Sequence, residues 1–189
     1  MNGPKTSVFI SLEGLSGVGK SETAELMAST NICEFIRLTT DFASTKELMT
    51  CAEDVNARLC LFISAMLHKS VRIQDRLNQG TSVVVDGFIA RTLAYHKGMG
   101  ADLSITFGSS TRFPDHSFML SCDENMRQRR LSSRNRAKTI WDDIEIRNID
   151  RIRELYEQNT FPRIDTTYRS QGEVAAEILR TCGLSAPCR

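Results

Sequence analysis

Gly14-Leu15-Ser16-Gly17-Val18-Gly19-Lys20-Ser21 decides how this chain folds. The eight residues fit the pattern GxxxxGK[ST], between an apolar run at 6–12 (TSVFISL) and a helical segment at 20–30. Strand, glycine-rich turn and helix N-terminus in that order make an anion cradle. The glycines let successive backbone N–H groups converge on a phosphate, and the helix end adds partial positive charge. Lys20 is placed to reach the β- and γ-phosphates of a nucleoside triphosphate, from a loop expected to be exposed, and the Ser21 hydroxyl to reach Mg²⁺. Gly14, Leu15, Ser16, Gly17, Val18, Gly19, Lys20 and Ser21 are therefore the expected cofactor-binding residues, with ATP and Mg²⁺ as the cofactors. A glycine-rich turn arising by chance would not bring its strand and helix with it.

Outward from this loop, short β-branched runs alternate with helical segments, which is the signature of an α/β parallel sheet. Strands are expected at 6–12, 34–38, 82–86, 118–122 and 161–165. Helices are expected at 20–30, 53–79, 124–133, 141–158 and 173–182. The longest helix has apolar residues at 55, 59, 62, 63, 66, 67, 71 and 73 along one face, and Gly80 ends it. The expected fold is a sheet of about five parallel strands with helices on both faces. No repeat or linker divides the chain, so 1–189 is read as one domain, with an arginine-rich lid at about 127–140.

Ser82-Val83-Val84-Val85-Asp86 is the most strand-like run in the chain. Asp86 ends it at the sheet edge where ligands bind in open α/β folds. A carboxylate there can hold Mg²⁺ or take a proton from an attacking hydroxyl; the plainer reading is a cap for the next helix. From Arg127 to Lys138 there are six basic residues and no acidic one. Arg127, Arg130 and Arg134 share a helical face, where like charges repel. Arginines closing over a transferring phosphoryl group explain them. A solvated basic face or a nucleic-acid patch is the alternative. Lys20, Asp86, Arg130, Arg134 and Arg136 are the expected catalytic residues, and Ser21 and Asp86 the metal ligands.

The chain has 189 residues, with 24 Lys and Arg against 23 Asp and Glu and a formal charge of +1. That balance argues against a polyanion-coating protein. No apolar run reaches the ~20 residues of a membrane helix, and the first residues lack a signal-peptide layout. The six Cys are scattered without metal-ligand spacing, and Cys60 and Cys122, in apolar stretches, are expected to be buried thiols. A cytoplasmic enzyme without membrane or nucleic-acid partners is expected. His68 and His116 have no ligand-spaced partners, Trp141 reads as a core anchor, and nothing marks Cys33 or Cys51 as a nucleophile.

With these features placed, the chain resembles the thymidylate kinase family of P-loop nucleoside and nucleotide kinases over nearly its whole length. Phe9-Ile-Ser-Leu-Glu-Gly14 is similar to that family's first strand and loop. Leu61-Phe62, Val83-Val-Val-Asp86 and Thr92-Leu-Ala-Tyr95-His96 follow its order, and Asp123, Arg130 and Arg134 match its lid helix. Arg130-Leu-Ser-Ser-Arg134-Asn-Arg136 also looks like the lid of deoxyribonucleoside kinases. The departures fall on the acceptor side. Asp86-Gly87-Phe88 stands where the family has Asp-Arg-Tyr or Asp-Arg-His, and Arg37-Leu-Thr-Thr-Asp41 where it has Arg-Glu-Pro-Gly-Gly. Met66 replaces the arginine that reads thymine, and His96 replaces a glutamine. The expected acceptor site is Arg37, Met66, Tyr95 and His96, placed by the resemblance, with Phe42 from the loop after the second strand and Arg91, four residues on, available to stand in for the arginine absent at 87. The family's counterpart of the 53–79 helix forms a two-fold homodimer contact; the alternative is that this apolar face simply covers the sheet.

The expected activity is transfer of the ATP γ-phosphoryl group to a small acceptor, a nucleotide or nucleoside, with specificity diverged from thymidylate. A kinase of a specialised biosynthetic metabolite shares the mechanism. A nucleotide-dependent switch is the alternative from another class, but the chain has no Asn-Lys-x-Asp guanine-reading motif. A DNA-end or DNA-base kinase would draw on 127–138, and the balanced total charge weighs against it.

Overall fold

β1 (Phe9–Glu13) is buried along its whole length and is the middle strand of the sheet. A computed structural model describes residues 7–37, 52–109, 111–134 and 139–184 of the chain. Among these residues, α1 (Lys20–Ser29), β2 (Cys33–Phe35), α2 (Val55–Asn78), β3 (Ser82–Asp86) and α3 (Ile89–Gly98) follow β1. Then come β4 (His116–Ser121), α4 (Glu124–Ser132), α5 (Ile140–Glu157), β5 (Arg163–Asp165) and α6 (Gln171–Thr181). The strand order is β2-β3-β1-β4-β5, all parallel, as the alternating pattern predicts. β1 and β3 pair with Leu12 opposite Asp86, so the carboxyl end of β3 lies beside the start of the glycine loop. Ligand sites form at such strand ends, beside the point where strand order reverses.

Successive residues of a strand face opposite sides, and here both sides are apolar. Phe9, Val83 and Val85 face α2, where Leu59, Ile63, Met66, Ile73 and Leu77 recur at helical spacing. Ile10, Leu12, Val84, Phe118 and Leu120 face a core that takes Ala24 and Met27 from α1, Ile152 and Tyr156 from α5, and Ile178 from α6. Each such side chain contributes about 1.5–3 kcal/mol by leaving water. α2 begins where the Asp54 carboxylate accepts the Ala57 N–H at 2.7 Å. Cys60 points outward from α2 and is exposed, and Cys122 is half-buried; the apolar neighbours of Cys60 misled because they lie on the helix's other faces. The strands at positions 2 and 5 are shorter than their apolar runs, because edge strands have one neighbour each.

Candidate active site

Asp54, Asp123 and Ser170 accept N–H groups at the starts of α2, α4 and α6. No side chain caps α1. It begins directly from Gly19, held left-handed at φ 96°, so its first amides face the loop it follows. Gly14 must be glycine: a Cβ there would stand 2.3 Å from the Leu120 carbonyl oxygen. Gly17 lies under α4, where a Cβ would meet Arg127 Cγ and Leu131 Cγ at 3.0 Å. Lys20 is buried, not exposed as the loop alone leads one to expect. Its Nζ donates to the Leu15 carbonyl at 2.8 Å and lies 3.8 Å from Asp86 Oδ1. Burial lowers its pKa to about 8, against the opposing pull of Asp86.

Asp86 closes the other side of this cradle. The Ser21 hydroxyl donates to Asp86 Oδ2, and Arg91 Nη1 lies 3.6 Å from Oδ1. Burial alone would raise the pKa of Asp86, but Lys20, Arg91 and the Ser21 hydroxyl outweigh it and hold the carboxyl below its usual range. The capping alternative fails: the N-cap of α3 is Phe88, without a side-chain bond. Between the two, Gly87 has φ +76°, and a Cβ there would stand 2.5 Å from Arg91 Cδ. Beneath them Glu13 is 1% exposed. Its Oε1 accepts the Phe88 N–H at 2.9 Å and the Ser11 hydroxyl, while Oε2 is buried without a partner. Burial raises its pKa despite those two bonds and the nearby Arg91 and Lys20.

On the side expected to take the acceptor, α2, α3 and the start of α5 converge. Met66 is buried and its sulfur takes the Thr92 hydroxyl at 3.4 Å. Arg91 lies over the Tyr95 ring at 5.1 Å, and the Tyr95 hydroxyl donates to Glu145. His96 is 2% exposed, with Nδ1 2.7 Å from the Thr92 carbonyl. A carbonyl only accepts, so Nδ1 carries the proton and Nε2, buried without a partner, is left as an acceptor. Burial lowers the pKa of His96 and keeps it neutral, above the effect of the Thr92 bond. Its ring centre lies 5.0 Å from Phe62 and 6.1 Å from Trp141. Trp141 thus joins an aromatic nest at the site and is half-buried, not a core anchor.

Lys20, Ser21, Asp86 and Arg91 are brought together, with Arg134 near enough to Asp86 to lower its pKa. Arg130 is held beside Gly19 by the Thr166 hydroxyl and carbonyl, the latter at 2.6 Å, and Thr166 in turn donates to Val18 O at 2.9 Å. Arg37 is not brought in: it lies on Glu25 of α1 at 2.5 Å and over the Phe35 ring. Phe42 and Arg136 are outside the described residues, as are 135–138 of the segment read as a lid. Arg127 departs from the expected arginine face: it is 2% exposed and paired with Glu124 and Glu145. Glu13, Glu145 and Thr166 went unassigned in the sequence. For Thr166, its place just after β5 at the strand-end edge was the available signal; Glu145 carried none. Among the described residues no cluster of three or more His, Cys, Asp or Glu could hold a metal ion.

The sequence model of the thymidylate kinase family matches residues 12–178. A probable thymidylate kinase of Methanococcus maripaludis is 29% identical, with 90% of this chain and 92% of the relative covered. A thymidylate kinase of Wolbachia pipientis from Culex pipiens is 30% identical over 68% of this chain and 71% of its own. Among solved structures, the thymidylate kinase of Candida albicans superposes with a TM-score of 0.70 at 20% identity, over 94% of this chain and 93% of that one. That of Ehrlichia chaffeensis gives 0.61 at 22% identity, over 93% and 98%. The glycine loop, the parallel sheet of order 2-3-1-4-5 and a match running from β1 to α6 lead to one conclusion: the chain belongs to the thymidylate kinase family of P-loop phosphotransferases.

Proposed function

We propose that this protein transfers the γ-phosphoryl group of ATP to a nucleoside monophosphate, with base preference shifted away from thymine. The observation that carries the reading is the Asp86 carboxylate, flanked by Ser21, Lys20 and Arg91 at the mouth of an uncapped helix. Residues Gly14 to Ser21 would receive the donor phosphates. Ser21 and Asp86, one hydroxyl and one carboxylate, suit Mg²⁺, which keeps most of its water and binds with substrate phosphates. When bound, Mg²⁺ neutralises charge on the β- and γ-phosphates. Lys20, Arg130, Arg134 and Arg136 stabilise charge that develops on the transferring group. Arg91 binds the acceptor phosphate in place of an arginine at 87. His96 Nε2 accepts from a base N–H, and the Phe62 and Trp141 rings offer apolar faces to the base.

The protein works in the cytoplasm as one domain, with a lid around 127–140 that closes over the donor from its fixed end at Arg127. A two-fold contact through α2 uses its exposed Leu67 and Val71. Small-molecule acceptors are its partners.

The test is steady-state kinetics with ATP, Mg²⁺ and a panel of nucleoside monophosphates, nucleosides and phosphorylated metabolites. A monophosphate is expected to have the highest kcat/KM. Thymidylate is expected to fall about 10²–10⁴ below a site that keeps both arginine contacts, from two lost charge-assisted bonds of about 1.5–3 kcal/mol each. Arg91 recovers part of that loss, but Met66 cannot supply the base contact. A kcat/KM for thymidylate at or above every other acceptor overturns the shifted preference. It would favour thymidylate itself, the substrate in the names of the relatives above. A nucleoside or an unrelated metabolite as the best acceptor overturns the monophosphate reading.

A further inference from the structure

Three elements of the site meet at a carboxylate that touches neither the glycine-loop lysine nor Asp86. Glu145, near the start of α5, is 2% exposed. Its Oε2 accepts the Ser16 N–H at 3.0 Å and the Tyr95 hydroxyl, and its Oε1 accepts Arg127 Nη1 at 2.9 Å. The same Nη1 donates to the Ser16 carbonyl at 3.1 Å, while Arg127 Nε and Nη2 go to Glu124 at 3.0 and 2.8 Å. The backbone of Ser16 is therefore held at both polar groups, the N–H by Glu145 and the C=O by Arg127. Ser16 belongs to the donor loop. Tyr95 belongs to α3, the helix that carries Arg91 and His96.

We propose that Glu145, working with Arg127, is a positioning residue that fixes the donor loop against the acceptor helix. It does so by holding the Ser16 backbone and the Tyr95 phenol on one carboxylate. The inference rests on the kinase reading above. Stability does not account for the arrangement, because a buried ion pair can often be replaced by apolar residues of similar volume at no cost to the fold. In-line transfer does account for it: a misplacement of about 1 Å between reacting groups costs on the order of 10² in rate. The carboxylate stays ionised. Burial would raise its pKa, but the Tyr95 and Ser16 bonds and the Lys20 charge hold it low.

The test replaces both charges together, Arg127→Met with Glu145→Met, and pairs this with Glu145→Gln, which keeps volume and one acceptor oxygen. Both variants are expected to keep ATP affinity within about threefold of wild type, read with a fluorescent ATP analogue. With the panel's best acceptor, kcat is expected to fall about 30- to 100-fold in the double variant and about tenfold in Glu145→Gln. In the ligand-free protein, backbone amides of 14–18 are expected to exchange with solvent at least about tenfold faster in both. A double variant or Glu145→Gln with wild-type kcat, or with unchanged exchange at 14–18, overturns the inference. A wild-type protein that phosphorylates no acceptor would instead overturn the kinase reading. The exchange measurement needs no acceptor and still decides the positioning role.

Discussion

Lys20 Nζ donates to the carbonyl of Leu15, 2.8 Å away in the same loop, so the ammonium is folded inward against its own loop. Burial costs the charged form, and the pKa falls to about 8. In the unfolded chain the lysine keeps its proton up to about pH 10.5, the ordinary value. Between these values the unfolded state binds more protons, so this group makes the fold more stable as pH rises from about 8 to 10.5.

Arrival of a triphosphate should reverse that shift, because anionic oxygens favour the ammonium. ATP binding is expected to take up roughly 0.7 proton at pH 8.5 and roughly 0.1 at pH 7. Calorimetry in buffers of different ionisation enthalpy measures this directly. Equal uptake at the two pH values would mean that Lys20 is already fully charged in the free protein. Lys20→Met, which removes a buried charge, is expected to lower kcat by about 10³ or more without lowering Tm at pH 7.

Asp86→Asn keeps the shape of the site and one acceptor oxygen for the Ser21 hydroxyl. ATP affinity is expected to stay within a few-fold while kcat falls by about 10²–10⁴. Since this carboxylate caps no helix, unchanged turnover could not be put down to a preserved cap and would remove Asp86 from the chemistry.

Arg91→Met removes the cation facing Asp86 but keeps much of the packing over Tyr95. The KM for a monophosphate acceptor is expected to rise, with kcat/KM down about 10- to 150-fold and ATP affinity nearly unchanged. Arg91→Lys should recover only part, because a single ammonium lacks the two-pronged fit to a phosphate. A larger effect on ATP than on the acceptor would assign Arg91 to the donor.

Glu13 gives a pH signature of the opposite sign to Lys20. Its folded pKa is raised from 4.5 by burial, so above that pH the folded protein holds a proton that the unfolded chain releases. Its contribution to stability therefore declines as pH rises above about 4.5, up to the folded pKa. Glu13→Gln copies the protonated form and should raise Tm by about 2–4 °C at pH 7–8, with no gain near pH 4.5. Equal Tm values for the two proteins at both pH values would show that folding does not raise the pKa of Glu13.

The glycine loop and the strand end beside it were legible because their pattern is local. A cradle of eight consecutive residues and a strand ending in Asp86 need no distant partner to be recognised. The long helix was legible too, since Leu59, Ile63, Met66 and Ile73 carry a helical period. What stayed hidden depends on residues far apart in the chain. Arg127 reads as one cation of an exposed face until Ser16 and Glu145, 111 and 18 residues away, turn it inward. Glu13 and Lys20 gave no sign of burial, because neither a charge beside a glycine nor one at a helix start has a period to read. Arg37 misled the other way: Glu25 on α1 holds its side chain, a contact no linear motif encodes.

Gly87 and Arg91 cannot be exchanged independently of one another. The positive φ of Gly87 disfavours any larger residue, and the space beside its Cα is already filled by the aliphatic stem of Arg91. An arginine inserted at 87 alone would compete with the one at 91 for the same volume and bring a third cation, after Lys20 and Arg91, to the same carboxylate. Engineering toward the acceptor preference of other family members must therefore move both positions at once, trading 91 for a small residue as 87 gains its side chain. Screens that vary one codon at a time would pass over that combination, because a side chain at 87 alone meets the Arg91 stem and a small residue at 91 alone removes a cation from Asp86.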